Sequence, residues 1–291
     1  GFPEEQQKGP VITNTKILQD SNYFAAVGFE GDTFRMEAGE ICGNTSSSES
    51  NQHTYGAGVY VRKNDSTSNK SNFIMTGGSI HDNTAEAVYS SANNSTYAEG
   101  AGVYVGSRGT FEMNGADENN PAQIYNNHAL HSVTATNFTP YARGGGIYAN
   151  GPFTMDGYSK VYNNKTSVKS ATTTNTPGVE GGGLYVGGTF NYKSGEIYGN
   201  SVETPSSSKY NVRGAGIYNA GTINMSGANC LIHDNILGNV ASATDKYVQG
   251  AGVYNSGTFN MTGGQIYSHT TLGNGAGAYN AKTFNMSAAE D

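Results

Sequence analysis

Positive charge is scarce in this chain: 16 Lys and Arg stand against 23 Asp and Glu in 291 residues, a net charge of −7. Binding to a phosphate backbone needs clustered Lys and Arg. No basic patch occurs, so no nucleic acid is expected among the partners. Proline is also scarce, at 7 residues, and no Gly-X-Y period exists, which excludes collagen. Two cysteines, Cys42 and Cys230, are too few for a disulfide framework or a cysteine zinc site. No apolar run approaches the ~20 residues that cross a bilayer, so no transmembrane segment is expected. Charged residues are only 13% of the chain, while 20 Tyr, 11 Phe and an apolar fraction of 35% supply core material, which argues against disorder. What is abundant is glycine, with 41 residues, and asparagine, with 33. Both tolerate a positive φ, so the chain turns often.

The glycines are not scattered. A segment beginning G-[AG]-G recurs at Gly56, Gly100, Gly144, Gly181, Gly214, Gly250 and Gly275. Each copy continues with an aliphatic-Tyr pair and then T-F-x-M or a variant. All but the last go on to a G-x-[IV]-Y-x-N element or a variant, as in GAGVYNSGTFNMTGGQIYSH from Gly250. A degenerate eighth copy starts at Phe24. The starts are separated by 44, 44, 37, 33, 36 and 25 residues, so the shortest interval approximates the bare unit. Three short apolar alternations per unit, punctuated by Gly or Asn, predict three strands rather than helices. One such unit cannot bury its own apolar face. Stacked units can, and the expected fold is all-β: a parallel β-helix with three strands per coil and about eight coils, spanning residues 24–291 with an incomplete last coil.

Strand alternation assigns the faces. Phe34, Phe73, Phe111, Phe153, Phe190, Ile223, Phe259 and Phe284 form one predicted interior column, with Met36, Met75, Met113, Met155, Tyr192, Met225, Met261 and Met286 beside it. An aliphatic column runs from Val59 to Ala278 and a third from Ile41 to Ile266. One strand step from the aliphatics stand Tyr60, Tyr104, Tyr148, Tyr185, Tyr218, Tyr254 and Tyr279, expected as an outward aromatic ladder. It either stabilises its sheet or offers a flat strip to glycans or a neighbouring rod. Cys42, His81, Tyr125, Tyr162, Tyr198, His233 and Tyr267 form a second outward column. Asn44, Asn83, Asn127, Asn164, Asn200 and Asn235 close the third strand, where a left-handed turn is expected. Asn191, Asn224, Asn260 and Asn285 read as an outward ladder. Before the glycine starts, Glu99, Arg143, Glu180 and Arg213 alternate in sign, expected as exposed pairs worth ~0–1 kcal/mol each. Insertions at 45–55, 84–99, 128–143, 165–180, 201–213, 236–249 and 270–274 place the loops on one flank.

Catalytic solenoids that cleave polysaccharides need clustered carboxylates with a base or a cation nearby. Asp82 and Asp234 occupy equivalent positions four rungs apart, roughly 19 Å, too far to act as a pair. His81 and His233 share that separation, and His128 and His131 have no predicted scaffold. The chain is therefore expected not to be an enzyme, with no catalytic residue, no cofactor and no metal site. Cys42 and Cys230, about five rungs apart, exceed disulfide reach.

The strings GAGVY, TFNM and GGQIY, with the IYNN and IHDN endings, are similar to the repeats of bacterial and archaeal adhesin-like surface proteins. They resemble more distantly those of the chlamydial polymorphic outer membrane proteins. The likeness covers roughly residues 24–286. The chlamydial F-x-x-N appears only at Phe111 to Asn114, and G-A-G-V stands in place of G-G-A-I. The resemblance implies a right-handed parallel β-helix outside the cell, with adhesive or structural roles. The absence of a leader before Gly1 fits a mature or trimmed secreted chain, and no C-terminal membrane barrel is expected. Residues 1–23 read as an extension that caps coil one or donates a strand to the next molecule. Val11, Ile12, Ile17, Leu18, Phe284 and Met286 are the candidate assembly residues. The expected function is a self-assembling extracellular or cell-surface filament subunit, a head-to-tail homopolymer. The alternatives are an adhesin segment whose loop flank binds glycans or a host surface protein, and a polysaccharide lyase or hydrolase.

Overall fold

A computed structural model describes residues 10–19, 25–48, 53–62, 71–89, 96–133, 140–169, 178–204, 210–238 and 247–288. They form a parallel β-helix. Coil two shows the three expected strands in order, Val59–Val61, Ser71–Met75 and Gly78–His81. Their equivalents stack rung on rung into sheets I, II and III, each of eight strands. Pairing is parallel and in register, Phe73 opposite Phe111 and Met75 opposite Met113. The core between these sheets is the set of predicted columns. Phe73, Phe153, Phe190 and Phe259 are fully buried, as are Met75, Met113, Met155 and Met225. Each such side chain contributes roughly 1.5–3 kcal/mol. Neighbouring Phe rings lie 4.6–5.1 Å apart, so the column follows the rung repeat.

The flank differs from the three-strand expectation. In coil two, Thr84–Tyr89 and Thr96–Glu99 are strands as well. Their equivalents build sheet IV, of eight strands, and sheet V, of six. A second interior lies between IV and V. Ala85, Ala87, Ala98 and Ala129 fill it in the early coils, and Val168, Val179, Val202, Val212, Leu237 and Val248 in the later ones. Ser and Thr take inward places too: Ser46, Ser48, Thr54, Thr96 and Thr166 are all buried. Because these strands run from two to six residues and use small side chains, they leave no apolar alternation in the sequence. On the flank, residues 49–52, 90–95, 134–139, 170–177, 205–209 and 239–246 lie outside the described residues.

Two glycines explain the G-x-G signature. Gly100 has φ of 63°, a region that a side chain strongly disfavours. At Gly102 a Cβ would lie 2.6 Å from the carbonyl oxygen of Gly146 and 2.9 Å from Asn127 Nδ2. The bend from sheet V into sheet I therefore needs one glycine for its dihedral angle and another for close approach between rungs.

The N-terminal segment joins the same stack. Val11–Thr13 pairs in parallel with Glu40–Cys42, and Lys16–Gln19 with Thr45–Ser48. It thus occupies the capping place below coil one of its own chain, adding one rung to sheets III and IV. Residues 1–9 and 20–23 of the extension are outside the described set. At the other end, Ala278–Asn280 and Thr283–Met286 add the last rung to sheets I and II.

Candidate functional site

Several polar or aromatic columns run along the solenoid, and their surroundings decide what each can do. The tyrosine ladder forms as expected, with ring centroids 4.8–5.5 Å apart from Tyr60 through Tyr104, Tyr148, Tyr185, Tyr218 and Tyr254 to Tyr279. It is not an open strip, however. Tyr60, Tyr148, Tyr218 and Tyr254 are buried, and Tyr104, Tyr185 and Tyr279 are half-buried. Sheet V folds back at the glycine bend and lays its own outward row over the rings. Arg143 sits 5.0 Å from the Tyr185 ring and 4.4 Å from that of Tyr141, and Arg213 sits 4.8 Å from that of Tyr254. Burial pushes the phenols of Tyr104, Tyr148 and Tyr185 well up, keeping them protonated donors.

The same packing corrects the reading of the charged row. Glu99 and Glu180 are each 4% exposed, not surface groups. Arg143 bridges them, with Nη1 3.3 Å from Glu99 Oε1 and Nε 3.0 Å from Glu180 Oε2, and Arg213 approaches Glu180 at 3.8 Å. Burial raises the Glu99 carboxyl to about 7 against the pull of Arg143 and a hydrogen bond from Tyr148. Glu180 is also raised by burial, opposed by Arg143 and Arg213.

The Asn ladder is interior. Asn44, Asn83, Asn127, Asn164, Asn200 and Asn235 are all fully buried. Asn83 Nδ2 donates to Asn127 Oδ1 at 2.9 Å and to the Ile41 carbonyl at 2.9 Å, and the pattern repeats upward through Asn127, Asn164 and Asn200. These residues are not the left-handed ones. That conformation falls one position earlier, at Asp82, Asn126, Asn163 and Asp234, with φ of 51–54°, and at Gly43 and Gly199. The equivalence of Asp82 and Asp234 thus reflects a backbone demand that Asp, Asn and Gly all meet. Asn224, Asn260 and Asn285 do hydrogen-bond outward, rung to rung, from Asn191. A further ladder, from buried Asn219 through buried Asn255 to exposed Asn280, escaped the sequence because Phe, Val or Ala fills that place in the earlier coils.

The outward column of sheet III carries the titratable groups. His81 stacks on Tyr125 at 4.6 Å, and His233 lies between Tyr198 and Tyr267 at 5.0 Å from each. Both repeat one arrangement: Nδ1 meets the carboxylate of the next residue, at 2.7 Å for His81–Asp82 and 2.8 Å for His233–Asp234. A glutamate stands one rung below each, Glu40 and Glu196, placed by the pairings Ser79–Glu40 and Glu196–Leu231. Below His81 is Cys42, and below His233 is Tyr198. Across coils one and two the donor atoms of Glu40, Cys42 and His81 all lie within 4.8 Å of one another. The sequence hides this group, because Cys42 and His81 are 39 positions apart and meet only through rung stacking. Cys42 and Cys230 are both free thiols.

His128 and His131 share the strand His128–Val133 and so do have a scaffold, but three positions along a strand put them on opposite faces. His131 is buried against Thr96 Oγ1, and His128 Nε2 meets Ser167 Oγ at 2.7 Å. Burial lowers His131 to about 3 and His128 to about 4, so both are neutral near pH 7.

The candidate assembly residues lie at the two ends. Val11, Ile12 and Met286 are exposed, at 44%, 41% and 72%; Ile17 and Phe284 are half-buried. Leu18 belongs to the strand Lys16–Gln19, its side chain outside the described set. No protein-family model, curated protein or solved structure matches the chain.

Proposed function

We propose that this protein is a non-enzymatic structural element of the cell exterior whose coils stack end to end into a filament. What supports this reading is the parallel, in-register stacking of like on like at every rung, which leaves unpaired strand edges on the first and last described rungs. Among the described residues, sheets III and IV reach one rung beyond sheets I and II at the first of these, and sheets I and II one rung beyond III and IV at the last. Together the two partial coils supply strands for all four sheets of one coil. If each ladder is continued by one rung, Ile12 falls on Ile266, Phe34 on Phe284 and Met36 on Met286 of the neighbour, as like pairs with like inside the chain. Unpaired strand edges recruit strands, and a head-to-tail contact that does not close gives an open fibre. The same step would equally join consecutive stretches of one longer polypeptide, so the test uses the 291-residue chain alone.

Two charge variants at exposed positions, Ile12→Lys and Met286→Lys, each block one end. Sedimentation is expected to show polymers for the unmodified chain, monomers for either variant alone, and dimers when the variants are mixed. A monomer at every concentration of the unmodified chain, or polymers that persist in both variants, contradicts the proposal.

A further inference from the structure

The group on the outer face of coils one and two is unlike the rest of its column. Asp82 has only acceptor oxygens, so at 2.7 Å from His81 Nδ1 it holds the ring proton on that nitrogen. In that tautomer Nε2 carries the lone pair. Nε2 of His81 is buried and has no hydrogen-bond partner among the described residues. A buried acceptor without a donor is costly. One rung below, Cys42 lies in the same column, and Glu40 stands two residues before it on the same strand. A thiol sulfur, a carboxylate oxygen and an imidazole nitrogen thus converge, with all their separations inside 4.8 Å.

We propose that Glu40, Cys42 and His81 form a zinc site that links the first two coils. Thiolate, carboxylate and imidazole are each zinc ligands, and three protein ligands leave a fourth position for water. Bond lengths of about 2.0–2.3 Å place neighbouring ligand atoms of a tetrahedron about 3.3–3.8 Å apart, so closure needs shifts of about an ångström, most easily at the exposed Glu40. The Asp82 carboxylate on the far ring nitrogen is the outer partner that metal-bound histidines use to fix their tautomer. On binding, zinc displaces the thiol proton to solvent; no electron is transferred.

Coil six supplies an internal control. His233, Asp234 and Glu196 reproduce the imidazole and both carboxylates, with His233 Nε2 3.5 Å from Glu196 Oε2. There the sulfur is replaced by Tyr198, and Lys160 Nζ claims Glu196 Oε1 at 3.2 Å. The carboxylate is therefore already neutralised, and the soft ligand is absent.

The test is titration of the intact chain with zinc alone and with cobalt(II) as a spectroscopic stand-in. The expected result is one metal per chain, with a thiolate-to-cobalt charge-transfer band that zinc displaces. Cys42→Ser is expected to abolish the band, and His81→Ala to weaken zinc binding by at least about 100-fold; Asp82→Asn, which keeps an exposed residue suited to its left-handed backbone, is expected to weaken it about 10–100-fold. His233→Ala is expected to leave affinity and stoichiometry unchanged. Zinc should also protect Cys42 from alkylation, while the buried Cys230 stays unreactive in the folded chain with or without metal. Absence of the cobalt band in the folded chain, or zinc affinity unchanged in both Cys42→Ser and His81→Ala, overturns the proposal.

Discussion

Two of the buried polar columns in this solenoid solve the same problem in different ways. The Asn ladder between sheets III and IV is neutral, and each amide spends its donors on a neighbouring amide and a carbonyl one rung away. The row Glu99, Arg143, Glu180, Arg213 in the cleft between sheets V and I is ionic, and it is tied to pH through Glu99, whose carboxyl burial raises to about 7. A neutral ladder can be extended without limit and ignores pH. An alternating ionic row sets register as well, since a slip of one rung opposes like charges, but it ties stability to proton concentration and to each partner.

The contrast is broken most severely at Arg143. Replacing it by Met leaves two buried carboxylates without their bridge, and a loss of about 3–5 kcal/mol in unfolding free energy is expected at pH 8, measured by denaturant titration. At pH 5 the loss should shrink, because Glu99, held near 7, is then protonated. Asn127→Ala orphans the Asn83 amide groups that donate to it and is expected to cost about 2–3 kcal/mol, equally at pH 5 and pH 8. A pH-dependent loss at Asn127, or a pH-independent one at Arg143, would erase the distinction between the columns.

Glu99→Gln sharpens it. The folded carboxyl is raised from 4.5 to about 7 by burial, so the folded state binds the proton more tightly than the unfolded chain. Its contribution is fully present below about 4.5 and is lost as pH rises through 7. The difference in stability between the unmodified chain and Glu99→Gln should therefore fall by about 3 kcal/mol across that window; a flat difference would place Glu99 outside the titrating row. Smallest of all, Asn224→Ser in the solvent-facing ladder should change stability by under about 0.5 kcal/mol, because water replaces what the side chain loses.

The sequence makes the main core legible because its strands repeat one motif and alternate with period two, so Phe73, Ile80 and Val59 identify their own faces. The flank is not legible in the same way. Ala85, Ala87 and Ser46 are buried without being strongly apolar, and strands as short as Thr54–Tyr55 show no alternation. Outwardness from one sheet also says nothing about a neighbouring sheet: Tyr148 points away from the core of sheet I and is then covered by Arg143 and Glu99 of sheet V. The left-handed position was displaced by one residue because Asn occurs at both places in Asn126–Asn127 and Asn163–Asn164. The Glu40, Cys42 and His81 group required knowing the rung register, which no local motif carries.

The proposed end-to-end stacking is tested most directly by the geometry of the fibre it would form. Among the described residues, sheets III and IV start one rung before sheets I and II, so these residues span nine levels and a stacked molecule would advance by eight if its partial coils share a level. At about 4.8 Å per rung, helical reconstruction of filaments from the 291-residue chain should give an axial rise of about 38 Å per subunit, with strands continuous across the junction. A rise of about 43 Å, as for nine unshared levels, or the absence of filaments at any concentration, would contradict it.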